Sequence, residues 1–351
     1  MSLPCLRPDL PAGYPFQVSQ LPHRAKLDQN ESAVDLPAEL KRELAAELAA
    51  RAWNRYVQPA DYARAKQALA GLFGVAPESL AVTVGADQAI EAAFLCAGGP
   101  GRRARWFEPT YPYIATAARR TFTSAEPVVL GREIDRRLDA AAVVAGPPAD
   151  LVALVSPNNP TGGLVAGSVL DAALAEPGRL VLVDEAYFEV SGWTALARLG
   201  AAPNLFIARS LSKSMLAGVH VGCAIAHPDA IAAIERLYTA PYHLDAWQLL
   251  VAERYPILRP HISAAAAVVR AERARVAAAL AGLGIAALDG HANFVSFEIG
   301  ARAGEVWRGL AEAGVRVRDL GALPGLAGFL RVTIGTPAEN DLFLAELGAR
   351  R

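Results

Sequence analysis

The feature of this sequence that most constrains its fold is an alternation of short apolar runs with helical segments. Seven runs have the character of strands: residues 80–84, 105–107, 127–130, 151–155, 180–183, 205–208 and 219–226. Several of them carry apolar residues at successive positions, which is typical of parallel strands buried on both faces. Alanine-rich helical segments separate many of these runs. The alternation predicts an α/β fold with a large, doubly wound, mostly parallel sheet.

The first half of the chain is predicted to contain an arm and a large domain. Residues 1–36 include five prolines and show little periodicity, so we expect an N-terminal arm that packs with the smaller domain. Apolar residues at helical spacing predict helices over residues 36–50 and 63–73. The large domain is predicted to cover residues 37–245.

The remainder, residues 246–351, is predicted to form a smaller α+β domain. A long helix is expected over residues 263–283, and three further strands are expected at residues 294–297, 315–318 and 329–333. The last helix has a clear start, because Thr336 can cap it, Pro337 suits its first position and Glu339 completes a capping box. Its buried stripe is predicted to consist of Leu342, Phe343 and Leu347.

Composition and charge exclude several classes of protein. The net charge is −1, and no block of Lys and Arg is long enough for a nucleic-acid-binding arm. The densest basic stretch, residues 101–105, is interpreted as the solvated entrance to a strand. Cys5, Cys96 and Cys223 fit no metal-ligand spacing, so reduced thiols are expected. No apolar window is long enough for a membrane span or a signal peptide, which favours a cytoplasmic protein without a metal.

Four polar segments stand at the ends of predicted strands, where open α/β sheets bind their ligands. They are residues 84–88 (Val-Gly-Ala-Asp-Gln), 156–162 (Ser-Pro-Asn-Asn-Pro-Thr-Gly), 183–187 (Val-Asp-Glu-Ala-Tyr) and 210–213 (Ser-Leu-Ser-Lys). Taken singly, each has an ordinary structural interpretation as a strand-to-helix turn, a tight turn, a helix cap or a surface lysine. Their joint occurrence in this order favours one kind of site.

The motifs together predict a site for pyridoxal phosphate. The cofactor needs a lysine amine for its Schiff base, which Lys213 can supply, and a carboxylate against its ring nitrogen. A cationic ring nitrogen explains the carboxylate of Asp184 at the end of an apolar strand. Hydrogen bonds to the ring hydroxyl suit Asn159 and Tyr187. Four residues are predicted to bind the phosphate group through amides at a helix N-terminus or through hydroxyls: Ala86, Asp87, Ser210 and Ser212.

In these motifs the chain resembles the fold-type-I aminotransferases, and specifically the histidinol-phosphate aminotransferase family. The resemblance covers nearly the whole chain, from residues 27–31 (Leu-Asp-Gln-Asn-Glu) to residues 331–336 (Arg-Val-Thr-Ile-Gly-Thr). It implies the roles given above for Lys213 and its neighbours. It further implies that Tyr111 stacks on the cofactor ring. Tyr56 would reach the cofactor phosphate of a neighbouring subunit, which implies a homodimer.

The resemblance also implies the substrates. Arg331 is similar to the arginine that clamps a substrate carboxylate, since a planar guanidinium matches that anion bidentately. Arg318 is similar to the arginine that meets the phosphate of histidinol phosphate, and it could equally bind the second carboxylate of the amino acceptor, 2-oxoglutarate. Asn30 is implied as a further substrate-binding residue, whereas Arg316 is interpreted as a surface ion pair. The implied reaction is a ping-pong transamination in histidine biosynthesis, with Lys213 as the general acid and base.

The loop after Lys213 departs from the family's pattern. The family usually has an arginine eight residues after the lysine, where it anchors the cofactor phosphate. Here the loop is one residue shorter and ends in His220. We therefore predict that His220 is a weaker or pH-dependent phosphate anchor. Residues 241–245 (Pro-Tyr-His-Leu-Asp) and residues 14–16 (Tyr-Pro-Phe) also differ from the family.

Three alternative functions stay open at this point. The first is a threonine-phosphate decarboxylase-like enzyme, which would release carbon dioxide without an amino acceptor. The second is an aromatic or broad-specificity aminotransferase. The third is a regulator built on a degenerate aminotransferase domain, which would carry a DNA-binding module. An arm of about 36 residues is too short for such a module, and the net charge is not basic.

Overall fold

The computed structural model describes residues 22–350, so Cys5, residues 14–16 and most of the predicted arm lie outside the described residues. The helices of the described part are α1 (Ala38–Ala49), α2 (Pro59–Phe73), α3 (Gly85–Ala97), α4 (Tyr113–Arg120), α5 (Ile134–Arg137), α6 (Ala140–Val144), α7 (Gly167–Leu174), α8 (Phe188–Ser191), α9 (Pro228–Leu237), α10 (Ala246–Gly282), α11 (Ala303–Glu312) and α12 (Pro337–Gly348). Its strands are β1 (Ala25–Lys26), β2 (Leu80–Thr83), β3 (Arg103–Glu108), β4 (Ser124–Val129), β5 (Leu151–Val155), β6 (Leu180–Asp184), β7 (Leu205–Ser210), β8 (Gly222–Ala226), β9 (Phe294–Glu298), β10 (Val315–Arg316), β11 (Arg318–Asp319) and β12 (Phe329–Thr333). None of the described helices has the length and apolar character needed to span a membrane.

A seven-stranded sheet organises the large part of the chain, in the order β2-β8-β7-β6-β5-β3-β4. Strand β8 pairs antiparallel with both of its neighbours, and the other pairs are parallel. This sheet confirms the predicted α/β class. Because β8 runs in the opposite direction, its first residue lies at the same edge of the sheet as the last residues of the other strands.

Both faces of this sheet are buried, which explains the continuous apolar runs. In β6, Val181 and Val183 pack into a core that includes Leu69 of α2. Leu182 points to the other face and packs into a second core that includes Ile90 of α3. Successive side chains of a strand face opposite sides, so a strand covered on both sides needs an apolar residue at every position.

The smaller part of the chain contains a three-stranded antiparallel sheet in the order β11-β12-β9 and a separate parallel pair of β1 with β10. The single strand predicted over residues 315–318 is therefore wrong. Val315 pairs with Ala25 of the N-terminal segment, whereas Arg318 pairs with Arg331. The chain therefore passes from one sheet to the other at Val317.

Helix α10 begins at Ala246, well before its predicted start at residue 263. Asp245 and Gln248 form a capping box, in which the carboxylate of Asp245 accepts a hydrogen bond of 2.7 Å from the backbone N–H of Gln248. The helix then continues through Pro256, although proline lacks the N–H donor that a helix interior uses. Burial of apolar side chains of α10 in two cores outweighs that local cost.

The length of α10 allows it to join both cores. Leu249 and Tyr255 near its start are fully buried in the core of the large part. Val276 and Leu280 near its end are buried in the core of the smaller part. Burying one such side chain contributes roughly 1.5–3 kcal/mol. The proposed domain boundary between residues 245 and 246 stays a prediction.

The predicted last helix is confirmed. The backbone N–H of Thr336 donates to Glu339 at 2.8 Å, and the Thr336 hydroxyl accepts from the backbone N–H of Glu339 at 3.3 Å. Phe343 and Leu347 are buried, and Leu342 is half-buried against the same core.

The basic stretch at residues 101–105 is only partly solvated, contrary to the prediction. Arg103 is about half exposed, but the side chain of Arg105 is 3% exposed. The guanidinium of Arg105 donates to the carbonyl of Pro147 at 2.5 Å and pairs with Glu126 at 3.1 Å. The two arginines are two residues apart and therefore lie on the same face of β3, where both pair with Glu126. Arg103, the first residue of the strand, is the more exposed of the two.

Candidate active site

A cavity of about 360 Å³ lies at the edge of the large sheet where β2, β3, β5, β6 and β7 end and β8 begins. Residues of β11 and β12 form its opposite wall. All the residues predicted from the sequence, except Tyr56, line this cavity: Asn30, Ala86, Asp87, Tyr111, Asn159, Asp184, Tyr187, Ser210, Ser212, Lys213, His220, Arg318 and Arg331. The edge at which strands of the same direction end thus brings together residues that are far apart in the sequence.

Lys213 lies in an irregular helical turn, Ser212–Leu216, directly after β7. Its Nζ donates a hydrogen bond of 3.2 Å to the backbone carbonyl of Gln29. Burial of the amine, together with the nearby charge of Arg331, lowers the pKa of Lys213 to about 8. A lowered pKa leaves a larger fraction of the amine neutral, which is the nucleophilic form.

Asp184 is the last residue of β6 and is buried, with 2% of its surface exposed. Its carboxylate accepts a hydrogen bond of 3.0 Å from the backbone N–H of Ala186. Burial raises the pKa of Asp184 to about 7. A carboxylate in such a place is stabilised by an opposite charge, and the cationic ring nitrogen of pyridoxal phosphate supplies one. The cavity therefore fits the cofactor at this position.

Asn159 and Tyr187 are both arranged as hydrogen-bond donors. Arg331 donates from Nη1 to Oδ1 of Asn159 at 2.5 Å, which leaves the amide NH₂ of Asn159 as a donor. Asn30 donates from Nδ2 to the hydroxyl oxygen of Tyr187 at 2.9 Å, which leaves the hydroxyl proton of Tyr187 available. Burial raises the pKa of Tyr187 to about 12, so this proton stays in place. Two donors on one side suit the ring oxygen of the cofactor.

The N-terminus of α3 forms the anion-binding end of the cavity. Gly85 begins this helix with a φ of +65°, a left-handed conformation that favours glycine. A Cβ at this position would also lie 2.8 Å from Nδ1 of His220, so the imidazole ring occupies the space that a side chain would need. Backbone N–H groups of the first turn, including those of Ala86 and Asp87, have no partner within a helix and attract anions.

His220 itself has a φ of +57°, which interrupts the strand predicted over residues 219–226. Strand β8 consequently begins at Gly222 rather than at residue 219. Across the same corner, Ser210 accepts a hydrogen bond of 3.2 Å from the backbone N–H of Ser212. Imidazole and hydroxyl donors thus lie around the N-terminus of α3, a donor set that fits a phosphate group.

Tyr111 lines the same cavity and is hydrogen-bonded to the first turn of α3. Its hydroxyl donates to Oδ1 of Asp87 at 3.0 Å. Burial raises the pKa of both Tyr111 and Asp87. The hydrogen bond holds the aromatic ring at the cavity wall.

Arg331 and Arg318 are opposite each other on neighbouring antiparallel strands, and both line the cavity. Arg331 also donates from Nη2 to the carbonyl of Asp28 at 3.0 Å, and its guanidinium lies 5.2 Å from the ring centroid of Phe294. Burial lowers the pKa of Arg331 to about 10. Arg316, predicted as a surface residue, is buried instead, because it belongs to β10 and not to the strand of Arg318.

Tyr56 lies outside this cavity, on the surface of the chain. Its side chain is 82% exposed, and its ring packs edge-on against the exposed ring of Tyr242, with centroids 5.8 Å apart. The cavity of its own chain therefore does not include Tyr56.

Several cavity residues were missed by sequence reasoning. They are Asp28, Gln29, Glu31, Thr110, Pro112, Pro160, Ala186, Ala217, Asp319, Leu320 and Leu323, together with Gly85. Asp28 and Glu31 belong to the same motif as Asn30, residues 27–31, so the sequence could have indicated them. Leu320 and Leu323 had none, since an apolar residue in a loop resembles any core residue. Gln29 contributes a backbone carbonyl, which its residue type does not reveal.

Sequence comparisons agree with this geometry. The family described as "Aminotransferase class I and II" matches residues 22–347. "Histidinol-phosphate aminotransferase 1" of Carboxydothermus hydrogenoformans is 33% identical over 337 residues, which cover 95% of this chain and 95% of that protein. The histidinol-phosphate aminotransferase of Streptomyces avermitilis is 36% identical over 285 residues, which cover 78% of this chain and 75% of that protein.

Solved structures share the fold. The histidinol-phosphate aminotransferase from Clostridium acetobutylicum has a TM-score of 0.82 and 20% identity, covering 93% of this chain and 98% of that one. The L-threonine-O-3-phosphate decarboxylase from Porphyromonas gingivalis has a TM-score of 0.78 and 19% identity, covering 93% of this chain and 99% of that one. The architecture is thus the one predicted, while the match over residues 22–347 carries the assignment to a family. The chain belongs to the aminotransferase class I and II family and is a pyridoxal-phosphate-dependent aminotransferase.

Proposed function

We propose that this enzyme transfers the amino group of histidinol phosphate to 2-oxoglutarate, a step in histidine biosynthesis. The observation that carries the proposal is the pair Arg318 and Arg331, which face each other across two strands on the wall of the cavity that contains Lys213. A guanidinium binds either a phosphate or a carboxylate. The names of relatives with 31–36% identity support histidinol phosphate as the donor.

The cofactor would be held at both of its ends. Lys213 would bind it covalently, and Asp184 would pair with its ring nitrogen. Asn159 and Tyr187 would donate to its ring oxygen, and Tyr111 would stack on the ring. When bound, pyridoxal phosphate supplies the electron sink that stabilises negative charge at the substrate α-carbon. Five residues would hold its phosphate group: Ala86, Asp87, Ser210, Ser212 and His220.

Lys213 would move the proton of the reaction. Its pKa of about 8 lies close to neutrality, so the amine can both accept and return a proton at Nζ. One cavity would serve both half-reactions in turn, which is a ping-pong cycle. Arg331 and Asn30 would orient the acceptor carboxylate, and Arg318 would bind either the phosphate of the donor or the second carboxylate of the acceptor.

The exposed position of Tyr56 supports a homodimer. A tyrosine that is 82% exposed in the single chain can reach a neighbouring subunit without any rearrangement of its own fold. In the proposed dimer, Tyr56 of each subunit would contact the cofactor phosphate bound by its partner. A cytoplasmic location also stays a prediction.

The test is a panel of amino donors given to the cofactor-loaded enzyme, with conversion of the cofactor to its amino form followed by absorbance. We expect histidinol phosphate to convert it quickly, and phenylalanine and threonine phosphate slowly. Arg318→Gln should slow the reaction with histidinol phosphate and leave that with phenylalanine little changed. Faster conversion by phenylalanine, or release of carbon dioxide from threonine phosphate, would overturn the proposal in favour of the corresponding alternative.

A further inference from the structure

A buried ion pair lies behind the cavity, at the ends of β6 and β7. Arg209 donates from Nε and Nη2 to Oε2 of Glu185, at 3.0 and 2.9 Å. The side chains are 4% and 0% exposed, respectively. Neither residue lines the cavity. The pair therefore touches neither cofactor nor substrate directly.

Two further donors, besides Arg209, fix the position of Glu185. The hydroxyl of Thr194 donates to its carboxylate at 2.9 Å, and the backbone N–H of Ala195 donates at 2.7 Å. Arg209 also donates from Nη2 to the hydroxyl of Thr194 at 2.8 Å. Charge-assisted hydrogen bonds of this geometry are strong and directional, so the carboxylate has a single position.

Two aromatic rings fix the guanidinium in the same way. It lies 4.5 Å from the ring centroid of Phe73 and 4.3 Å from that of Phe188, while these rings meet edge-on at 5.6 Å. A guanidinium stacked on aromatic faces gains cation–π attraction and loses its rotational freedom. Phe188 directly follows Tyr187, so the second ring belongs to a segment that also lines the cavity.

The chain neighbours of the pair are the cofactor-binding residues. Glu185 directly follows Asp184, and Arg209 directly precedes Ser210, which leads to Lys213. Successive side chains along a strand point to opposite faces. Fixing Glu185 and Arg209 on one face therefore also fixes their chain neighbours, Asp184 and Ser210, on the other. We propose that Arg209 and Glu185 are positioning residues, which hold the ends of β6 and β7 in the register that presents Asp184 and Lys213 to the cofactor.

Stability alone does not account for this pair. Removing two charges from water costs so much that well-packed apolar side chains usually stabilise a protein as well or better. The pair also gives two adjacent carboxylates different partners. Arg209 neutralises Glu185, so Asp184 stays available to pair with the cofactor. This proposal requires that the enzyme binds pyridoxal phosphate at Asp184 and Lys213. It does not depend on which amino donor the enzyme uses.

The decisive experiment compares Arg209→Met, the double variant Glu185→Leu/Arg209→Met, and a control. The control is Arg105→Met, since Arg105 is an equally buried, ion-paired arginine of the same sheet that does not line the cavity. The readouts are thermal stability, the Kd for pyridoxal phosphate, and the pH at which the absorbance of the lysine-bound cofactor changes. None of them requires a substrate, so failure of the proposed donor would not affect the result.

We expect Arg209→Met to lose stability because it leaves Glu185 as an uncompensated buried charge, and the double variant to regain much of that stability. The double variant should nevertheless bind the cofactor at least about tenfold more weakly, since small misplacements of site residues have large effects. Its absorbance should also change at a different pH. Arg105→Met should lose stability and keep the wild-type Kd.

A double variant with wild-type Kd and pH response would overturn the proposal, whatever its stability. If either Met variant does not fold, Arg209→Lys decides, because lysine keeps the charge but lacks the planar, bidentate guanidinium. A weakened Kd and a shifted pH response in Arg209→Lys would support positioning. Wild-type values for both would show that charge compensation is enough and would overturn it.

Discussion

Among the single residues of the site, Asp184 and Lys213 are held where their usual charges are disfavoured. Burial raises the pKa of Asp184 to about 7 and lowers that of Lys213 to about 8. An opposite charge nearby favours the ionised carboxylate, so a cationic ring nitrogen would remove the cost at Asp184. We therefore expect ionised Asp184 to lower the free energy of unfolding of the cofactor-free protein, and the bound cofactor to remove this effect.

The first prediction concerns the destabilisation caused by ionised Asp184 in the cofactor-free protein. The folded pKa of Asp184, about 7, lies above the ordinary carboxyl value of 3.8, so ionisation lowers stability increasingly as the pH rises between these values. We expect the cofactor-free Asp184→Asn variant to be more stable than the cofactor-free wild type, by a margin that grows over this range and levels off above it. Thermal unfolding at several pH values measures the margin. A margin that does not change with pH would contradict the raised pKa.

The second prediction concerns His220, whose ring packs against Gly85 at the N-terminus of α3. We expect His220→Ala to bind pyridoxal phosphate about tenfold more weakly, because a hydrogen bond to a charged group contributes roughly 1.5–3 kcal/mol. His220→Arg is the matched control, since a guanidinium keeps hydrogen-bond donors for the phosphate, and it should bind at least as tightly as the wild type. Equal affinities of wild type and His220→Ala would remove the role of His220.

At the scale of the elements, side-chain caps decide where the last two long helices of the described chain begin. Asp245 caps α10, and Thr336 caps α12, each with a partner three residues on. The capping box satisfies N–H groups that have no partner within the helix. The cap of α12 was recognised from the sequence, whereas that of α10 was not, although both have the same spacing.

The third prediction tests the cap of α12. Replacing the N-cap side chain removes a hydrogen bond that no other group of the helix can supply, so Thr336→Ala should lower the free energy of unfolding by about 1 kcal/mol. Thr336→Ser keeps the hydroxyl and should stay close to wild type. Denaturant titration of the cofactor-loaded proteins measures both. An unchanged midpoint for Thr336→Ala would show that solvent replaces the cap.

On the scale of the whole molecule, one chain provides most of the site but not all of the predicted residues. The cavity combines the edge of the large sheet with β11 and β12, so both parts of the chain are needed to close it. Tyr56 is absent from its lining and exposed. A complete site in the proposed enzyme would then require a second copy.

The fourth prediction tests that requirement with hybrid dimers. Lys213→Ala removes the proposed reactive lysine from one subunit, and Tyr56→Ala removes the proposed contact with the partner's cofactor. A hybrid of the two variants would have one site with both residues intact. We therefore expect unfolding and refolding of an equal mixture to give more activity than the sum of the separately refolded variants. Simple additivity would contradict a shared site.

Most of the site could be predicted because its residues belong to local patterns. Asp184 and Ser210 are the last residues of β6 and β7, and Ala86 lies shortly after β2, so parallel strand direction was enough to bring them together. The position of His220 beside Gly85 could not be predicted from a local pattern. It depends on β8 being antiparallel to β2 and β7, which places the start of β8 at the edge where those strands end. Leu320 and Leu323 could not be predicted, because their role depends on which side of the small sheet faces the cavity.

By itself, the sequence determined the α/β class, the order of the strand-end motifs and the start of α12, since each depends on residues that are neighbours in the chain. Only the tertiary structure decided that residues 315–318 divide between two sheets, that Arg318 faces Arg331 and that Arg209 pairs with Glu185. Each of these contacts joins residues of different elements, at least 13 positions apart in the sequence. Strand pairing and register follow from burial of whole faces, which local propensity does not encode.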